Sequence, residues 1–199
     1  MVEGSLPTSV QAFLQQLLAR AVVTDDVAQA LLKECQKGYG DGGHCLEMTL
    51  ELINKHMEFV LMEVRSINVD GVQYHGLVNK ASDDIAKKFG CDWSDWKIKV
   101  FKDMLAKFGE KHNESSEDSP LASPSSDNPT LTRDDLEDLK PRASVTLGDL
   151  YGFLKELEEE QWVKMEANNR RFGLGIRAQL ELHQTLRSHG LPVKQIMYH

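Results

Sequence analysis

Histidine and cysteine side chains lie close together at one place in the sequence, where metal binding is the chemistry to consider. His44 is followed directly by Cys45, and Cys35 lies shortly before them. A structural zinc site uses about four such ligands, typically with CxxC-like spacing. Adjacent residues seldom point at one metal unless a loop is built for it. We therefore predict a loop with a buried cysteine here, with no metal site and no cofactor.

Two other patterns resemble catalytic motifs. The glycine-rich stretch 38–43 lacks the Gly-Lys-Ser/Thr ending that a phosphate-binding loop requires, so it predicts a turn. Glu158, Glu159 and Glu160 are consecutive, which spreads them around a helix and does not pair two carboxylates for acid–base chemistry. No serine lies in a nucleophile-elbow context. The sequence therefore predicts no catalytic residue.

Basic side chains are concentrated near the end of the chain. Residues 161–199 hold 6 Lys and Arg against 2 Asp and Glu, although the whole sequence of 199 residues has a net charge of -8. Arg170, Arg171 and Arg177 are the candidate phosphate contacts within this stretch, and a solvated basic hairpin is the alternative interpretation. We predict weak nucleic-acid contact at these three arginines.

A β-hairpin is the strongest structural signal. Apolar and polar residues alternate from Val60, the pair Asp70-Gly71 favours a type I′ turn, and a second strand returns through Leu77. Ser82 then has the position of a helix N-cap. Because an isolated hairpin is marginally stable in water, this one must pack on helices.

The apolar periodicity around the hairpin is helical, and the same order of elements occurs twice. Three helices, capped near Thr8 and Thr24 and beginning near Leu46, precede the first hairpin. In the second half, Thr132 and Thr146 are N-cap candidates for helices that precede predicted strands at 162–166 and 171–174, and a final helix is predicted over 176–188. We predict a mainly α fold with small β-hairpin wings, arranged as tandem winged-helix domains.

The predicted domains have the following boundaries. Residues 1–7 form a flexible N-terminus, 8–108 the first winged-helix domain with a C-terminal helix, 109–129 a disordered linker, and 130–199 the second winged-helix domain. Ser119-Pro120 and Ser123-Pro124 in the linker are candidate phosphorylation sites.

The helix predicted over 92–108 is apolar on two sides. Trp93 and Trp96 belong to one of its two apolar stripes, so this helix must be covered on both sides. It either packs on its own domain and the next one, or it presents the two tryptophans to a partner protein. We take Trp93 and Trp96 as the candidate partner-binding residues.

Several of these positions together resemble the non-SMC element one family, a winged-helix subunit of the SMC five-six complex. The matching positions are Tyr74, Leu77, Val78, Asn79, Ala81, Ile85, Phe89, Trp162, Val163, Leu174, Arg177, Ala178, Leu180 and Glu181. The resemblance implies binding to a MAGE-like subunit and to the kleisin, a nuclear, chromatin-associated location, and a role in DNA repair and recombination.

Members of that family also continue into a RING-like zinc module, which supports ubiquitin-ligase activity together with a MAGE-type partner. No cysteine follows Cys91 in this sequence, so the ligand set of that module is missing from it. We expect either a fragment or a natural form without the ligase part. Enzyme activity therefore stays undecided at this point.

The helices that precede the two predicted wings distinguish protein binding from DNA binding. The first carries three glutamates against Lys55, and the second carries five acidic residues against Lys155. Phosphate contacts come from Lys and Arg, so acidic helices are repelled by DNA. We therefore predict a protein-interaction subunit that meets DNA mainly through its complex. A stand-alone winged-helix regulator that binds nucleic acid is the alternative.

Length and cysteine content agree with this class. The chain is long enough for one large or two small domains, and its three cysteines are irregularly spaced, which is typical of a reducing compartment. It has no apolar run of membrane-spanning length and no secretory signal pattern. The sequence therefore predicts an intracellular protein with no membrane partner and no small-molecule substrate.

Overall fold

The computed structural model describes residues 5–80, 93–117, 129–139, 145–166 and 171–199. The chain divides into two compact units, a first unit of Met1–Ser82 with Lys194–His199 and a second unit of Asp83–Val193. Helices and small antiparallel sheets make up both units, which confirms the predicted mainly α class. In the described part of the chain, no helix combines the length and apolarity needed to cross a membrane.

The described elements are these, in chain order. They are α1 (Thr8–Arg20), β1 (Val22–Thr24), α2 (Asp25–Tyr39), α3 (Leu46–Met57), a 3-10 turn (Glu58–Val60), β2 (Met62–Val69), β3 (Val72–Asn79), α4 (Asp95–Glu117), β4 (Leu131–Thr132), α5 (Arg133–Glu137), α6 (Leu147–Glu159), β5 (Val163–Met165), β6 (Arg171–Leu174), α7 (Ile176–Glu181), α8 (His183–Ser188) and β7 (Ile196–Tyr198).

The first unit packs three helices on an antiparallel sheet of order β1-β3-β2-β7. Because side chains alternate across a strand, Val64 on β2 and Leu77 on β3 face the helices as a cross-strand pair. They join an apolar core contributed mainly by α1, α2 and α3. Its buried members are Val10, Phe13, Leu17, Val23, Ala28, Leu32, Leu50, Ile53, Val64 and Leu77.

The predicted hairpin is confirmed, including its turn. Val69 pairs with Val72, so the loop consists of Asp70 and Gly71, with φ angles of 53° and 83°. Two positive φ angles are what a type I′ turn requires. The Gly71 N–H donates to Oδ1 of Asn68 at 3.1 Å, which closes the turn from one side.

The second unit surrounds a separate apolar core with helices and an antiparallel sheet of order β4-β6-β5. The predicted caps Thr132 and Thr146 are confirmed as capping boxes. Their side chains accept from the backbone N–H groups of Asp135 and Asp149, whose carboxylates bond back to the cap residues. These reciprocal bonds fix where α5 and α6 begin.

Helix α4 differs from the prediction in length and in the core that it joins. It extends to Glu117, so the first nine residues of the predicted linker 109–129 are helical, whereas 118–128 lie outside the described residues. Its apolar side chains, including the fully buried Phe108, belong to the core of the second unit. Gly109 lies within the helix and does not end it. Its missing side chain allows the His189 backbone to approach closely, since a Cβ at Gly109 would lie 2.4 Å from the His189 carbonyl oxygen.

Other boundaries also need correction. The final helix predicted over 176–188 is broken at Leu182, which separates α7 from α8. Residues 194–199, assigned from the sequence to the second domain, belong to the first unit because β7 pairs with β2. Strands β1, β4 and β7 were not predicted, since segments of two or three residues carry no periodic signal. The predicted helix after Ser82 lies outside the described residues.

Replacement of Gly71 by valine tests the hairpin turn. A β-branched residue is strained at a positive φ, so Gly71→Val should lower the free energy of unfolding by about 1 kcal/mol or more. The matched control is Gly152→Ala, at an exposed position within α6 where an added Cβ meets nothing within 4 Å. That variant should gain about 0.5–1 kcal/mol. Equal denaturation midpoints for wild type and Gly71→Val would contradict the turn assignment.

Candidate functional site

Four polar side chains form a connected cluster in the first unit. His75 Nε2 lies 3.0 Å from Oδ1 of Asp25, and His75 Nδ1 lies 2.6 Å from Oγ of Ser66. The same hydroxyl lies 2.6 Å from Nε2 of His199. Ser66 and His75 face each other directly across β2 and β3, and both are almost fully buried. We call Asp25, His75, Ser66 and His199 the polar cluster.

The partners determine the direction of hydrogen bonding in the polar cluster. In the neutral His75 tautomer that donates from Nε2 to the Asp25 carboxylate, Nδ1 accepts the Ser66 hydroxyl proton. The Ser66 oxygen then accepts from the Nε2–H of His199. Burial lowers the pKa of the His199 imidazole, and the nearby His75 lowers it further.

The polar cluster contains the residue types of a hydrolase triad, but its geometry does not present a nucleophile. A cavity of about 640 Å³ lies beside it, lined in part by Asp25, His75 and His199. Ser66 is 0% exposed and does not line this cavity. A nucleophile must be within reach of a bound substrate. The cluster links α2, β3, β2 and the residue after β7, and its serine does not reach this cavity.

The predicted cysteine and histidine loop has no metal-binding geometry. Cys35 is half-buried, whereas Cys45 is exposed at the start of α3, so the expected buried cysteine is wrong for Cys45. The carbonyl of His44 accepts from Nε2 of Gln36 at 2.8 Å. Burial raises the pKa of the Cys35 thiol, and Glu34 adds to this effect. Over the described ranges of the chain, no group of three His, Cys, Asp or Glu residues could hold a metal ion.

The helices that precede the two hairpins present acidic side chains. On α3, Glu47 and Glu51 are exposed, as is Glu58 in the 3-10 turn that follows. On α6, Glu156 pairs with Lys97 and Glu159 lies 3.3 Å from Lys155. Carboxylates at these positions repel phosphate, which agrees with the expectation from the sequence.

The three predicted arginines have different surroundings. Arg171 is exposed on β6, and Arg170 lies outside the described residues. The guanidinium of Arg177 lies 2.7 Å from Glu181 and 3.2 Å from Glu160, and it stacks on the Trp162 ring at 4.3 Å. Arg177 would have to exchange two carboxylates to meet a phosphate. Nucleic-acid contact by these residues stays a prediction.

Trp93 and Trp96 are partly buried against the core of the second unit. The Trp93 ring makes edge contacts with Phe101, Phe153 and Trp162 at centroid distances of 5.3 to 5.8 Å. Trp96 contacts Phe153 at 5.5 Å. Aromatic pairs in this arrangement stabilise a core. Packing within the unit accounts for much of each side chain, and partner binding by the remaining surface stays a prediction.

Fold and site together define a mainly α protein of two units, each with a small antiparallel sheet and an acidic helix before its hairpin. A family model described as the Nse1 non-SMC component of the SMC5-6 complex matches residues 10–182. The chain belongs to this family. The resemblance inferred from the sequence is thereby confirmed.

A similar solved structure supports the fold. One chain of the Nse1-Nse3-Nse4 complex superposes with a TM-score of 0.74 at 19% sequence identity, over 94% of this chain and 77% of that chain. At this identity the likeness concerns the fold alone. A comparison with curated proteins gave no match.

The polar cluster was missed by sequence reasoning, and part of it could have been found. A two-residue turn at Asp70-Gly71 places Ser66 opposite His75, so that pair follows from the register of the hairpin. Asp25 and His199 come from distant parts of the chain and carry no local signal. A histidine and a serine paired on the helix-facing side of a predicted strand pair were the available sign.

Removing the Ser66 hydroxyl tests the role of the polar cluster. Ser66→Ala leaves Nδ1 of the buried His75 without its donor, so the free energy of unfolding should fall by about 1–3 kcal/mol. Ser188→Ala is the control, because its hydroxyl bonds to the Thr185 carbonyl at an exposed site, and it should change stability by about 0.5 kcal/mol or less. Denaturant titration measures both, and equal stabilities would contradict the assigned role.

Proposed function

We propose that this chain is a protein-interaction subunit that binds the counterparts of Nse3 and Nse4. Membership of the Nse1 family supports the assembly, and the similar structure is of a complex with these two components. In this proposal the Nse3-type partner is MAGE-like, the Nse4-type partner is the kleisin, and the assembly acts in DNA repair and recombination on nuclear chromatin. Both units serve as winged helices, in which a helix precedes an antiparallel hairpin.

The acidic character of α3 carries the proposal. In DNA-binding winged helices, the helix before the wing reads the groove, where phosphates on both sides require Lys or Arg. Here Glu47, Glu51 and Glu58 are exposed, and Lys55 is the only lysine or arginine on the described segment 46–61. The helix is therefore suited to a protein surface and is repelled by a nucleic acid. Trp93 and Trp96 are further candidate contacts for a partner.

A stand-alone nucleic-acid-binding regulator is the second candidate. The exposed Arg171 favours it, because this residue lies on β6 within the locally basic end of the sequence. An exposed arginine such as Arg171 supplies few phosphate contacts, and each neutralised phosphate contributes about -0.9 to the slope of log K against log salt. DNA then reaches the assembly mainly through the other components.

Co-purification tests the proposed assembly. The chain should elute together with the Nse3 and Nse4 counterparts, and light scattering should give a mass that includes all three. Duplex DNA titrated against the isolated chain at about 0.15 M salt should bind more weakly than about 1 μM. Arg171→Glu should remove much of any residual binding, and the equal charge change Arg187→Glu on α8 serves as the control.

Two results would contradict the proposal. In the first, the chain elutes apart from an intact pair of Nse3 and Nse4 counterparts. In the second, the isolated chain binds duplex DNA more tightly than about 1 μM at that salt, beyond the usual non-specific range. The second result would favour the nucleic-acid-binding regulator.

A further inference from the structure

Large apolar side chains are exposed along α3 and just after it. The exposed fraction is 52% for Met48, 84% for Phe59, 44% for Val60 and 53% for Leu61. Single exposed apolar residues are ordinary on protein surfaces, but contiguous ones mark contact sites. Phe59, Val60 and Leu61 are consecutive, which makes this run unusual among the described residues of the first unit.

Helical periodicity places Met48 on the same side as this run. Residues four and eleven positions apart in a helix lie within about 40° of each other around its axis. Met48, the half-buried Leu52 and Phe59 have this spacing, with Phe59 in the 3-10 turn that continues α3. Met48, Leu52 and Phe59 therefore lie on one side of this helical segment, and the exposed Val60 and Leu61 follow Phe59 directly in the chain. We call these five residues the α3 strip.

Leu61 has a backbone conformation in which leucine is uncommon. Leu61 has φ 56° and ψ 33°, a left-handed conformation that favours glycine or asparagine over leucine. Its N–H donates to the Glu58 carbonyl at 3.1 Å, and its own carbonyl accepts from Lys80 at 2.7 Å. The leucine side chain is 53% exposed at a position where the backbone conformation favours glycine or asparagine.

The charges around the α3 strip indicate which kind of partner surface could bind there. Glu47, Glu51 and Glu58 are exposed on α3 and its following turn. Lys55 is the one opposing charge on this described segment and lies on the same side as Met48, seven positions after it, so the surface keeps a net negative charge. A nucleic acid, an anionic membrane and a second copy of the same acidic strip would all meet like charge. A positively charged surface with apolar side chains would meet opposite charge at the rim and fill the strip itself.

We infer that the α3 strip is the docking site for an amphipathic helix, rich in Lys or Arg beside an apolar face, of the Nse3–Nse4 pair. This inference rests on the proposed function and assigns it a surface. The helix lies along α3 with its apolar face on Phe59 and Leu61, and its basic side chains face Glu51 and Glu58. An amphipathic helix on an apolar groove is a recurring mode of protein recognition.

Affinity measurement with strip variants tests the inference, using the full chain and the assembled pair of Nse3 and Nse4 counterparts as the probe. Phe59→Ser and Leu61→Asn should each raise the dissociation constant by about tenfold or more, as expected when a buried apolar anchor is lost. Leu61→Asn keeps a residue that tolerates the left-handed backbone, so its melting temperature should stay equal or rise. The control is Leu18→Ser on α1, which is 54% exposed.

Charge reversal gives an independent readout. Glu51→Lys combined with Glu58→Lys should slow association with the same probe and weaken its dependence on salt, because the steering charge is inverted. The control Lys155→Glu with Glu159→Lys on α6 exchanges the two members of an exposed ion pair without changing the net charge, and it should leave the association rate unchanged.

Each outcome decides between distinct conclusions. If wild type fails to bind the probe, the proposed function fails and this inference falls with it. If wild type binds and the strip variants bind equally well, the assigned surface is wrong while the proposed function survives. Loss of stability in Leu61→Asn would show that the strip is covered within the chain. Concentration-dependent dimers of wild type that Phe59→Ser abolishes would assign the strip to a second copy. Either of these last two results overturns the inference.

Discussion

The buried hydrogen bond between Ser66 and Nδ1 of His75 organises the first unit, because it lies between the two central strands of the sheet. The same two residues reach Asp25 at the start of α2 and His199 after β7. An unsatisfied buried polar group costs about 1–3 kcal/mol, so these elements keep their register together. Asn54 then joins α3 to β2, since its side chain donates to the Val64 carbonyl and accepts from the Val64 N–H. These contacts determine which face of α3 remains outside, and that face carries the charged and apolar residues on which the functional account rests.

Local chemistry explains which elements the sequence predicted well. The pair Asp70-Gly71 specifies its turn through backbone conformation alone, and Thr132 and Thr146 bond to residues three positions further on. Such signals do not depend on the rest of the fold. Most of the polar cluster lay beyond this approach, because Asp25 and His199 meet only after the sheet has formed. The Ser66–His75 pair is intermediate, since turn register alone places these two residues opposite each other.

Helix α4 shows where pattern analysis reaches its limit. Its two apolar stripes predicted cover on both sides, but periodicity does not identify which elements provide it, and its buried side chains join the core of the second unit. Gly109 also resembled the start of a linker, whereas it permits close approach to the His189 carbonyl within the second unit. The role of Arg177 was also ambiguous in the sequence, where its positive charge made it a candidate contact for phosphate. In the structure this charge stacks on Trp162 and meets Glu160 and Glu181. A charged residue in a sequence predicts an oppositely charged group nearby, but only the fold determines whether that group belongs to the same chain or to a ligand.

The central claim is that the exposed face of α3 binds protein and does not bind nucleic acid. Hydrogen–deuterium exchange of the full chain tests it directly, measured alone, with the assembled Nse3 and Nse4 counterparts, and with duplex DNA. A helix that becomes buried at an interface opens less often, so its backbone amides exchange more slowly. The account predicts slower exchange over residues 46–61 when the protein partners are added, and unchanged exchange there with DNA. Slower exchange over 46–61 with DNA, together with no change on adding the protein partners, would contradict it.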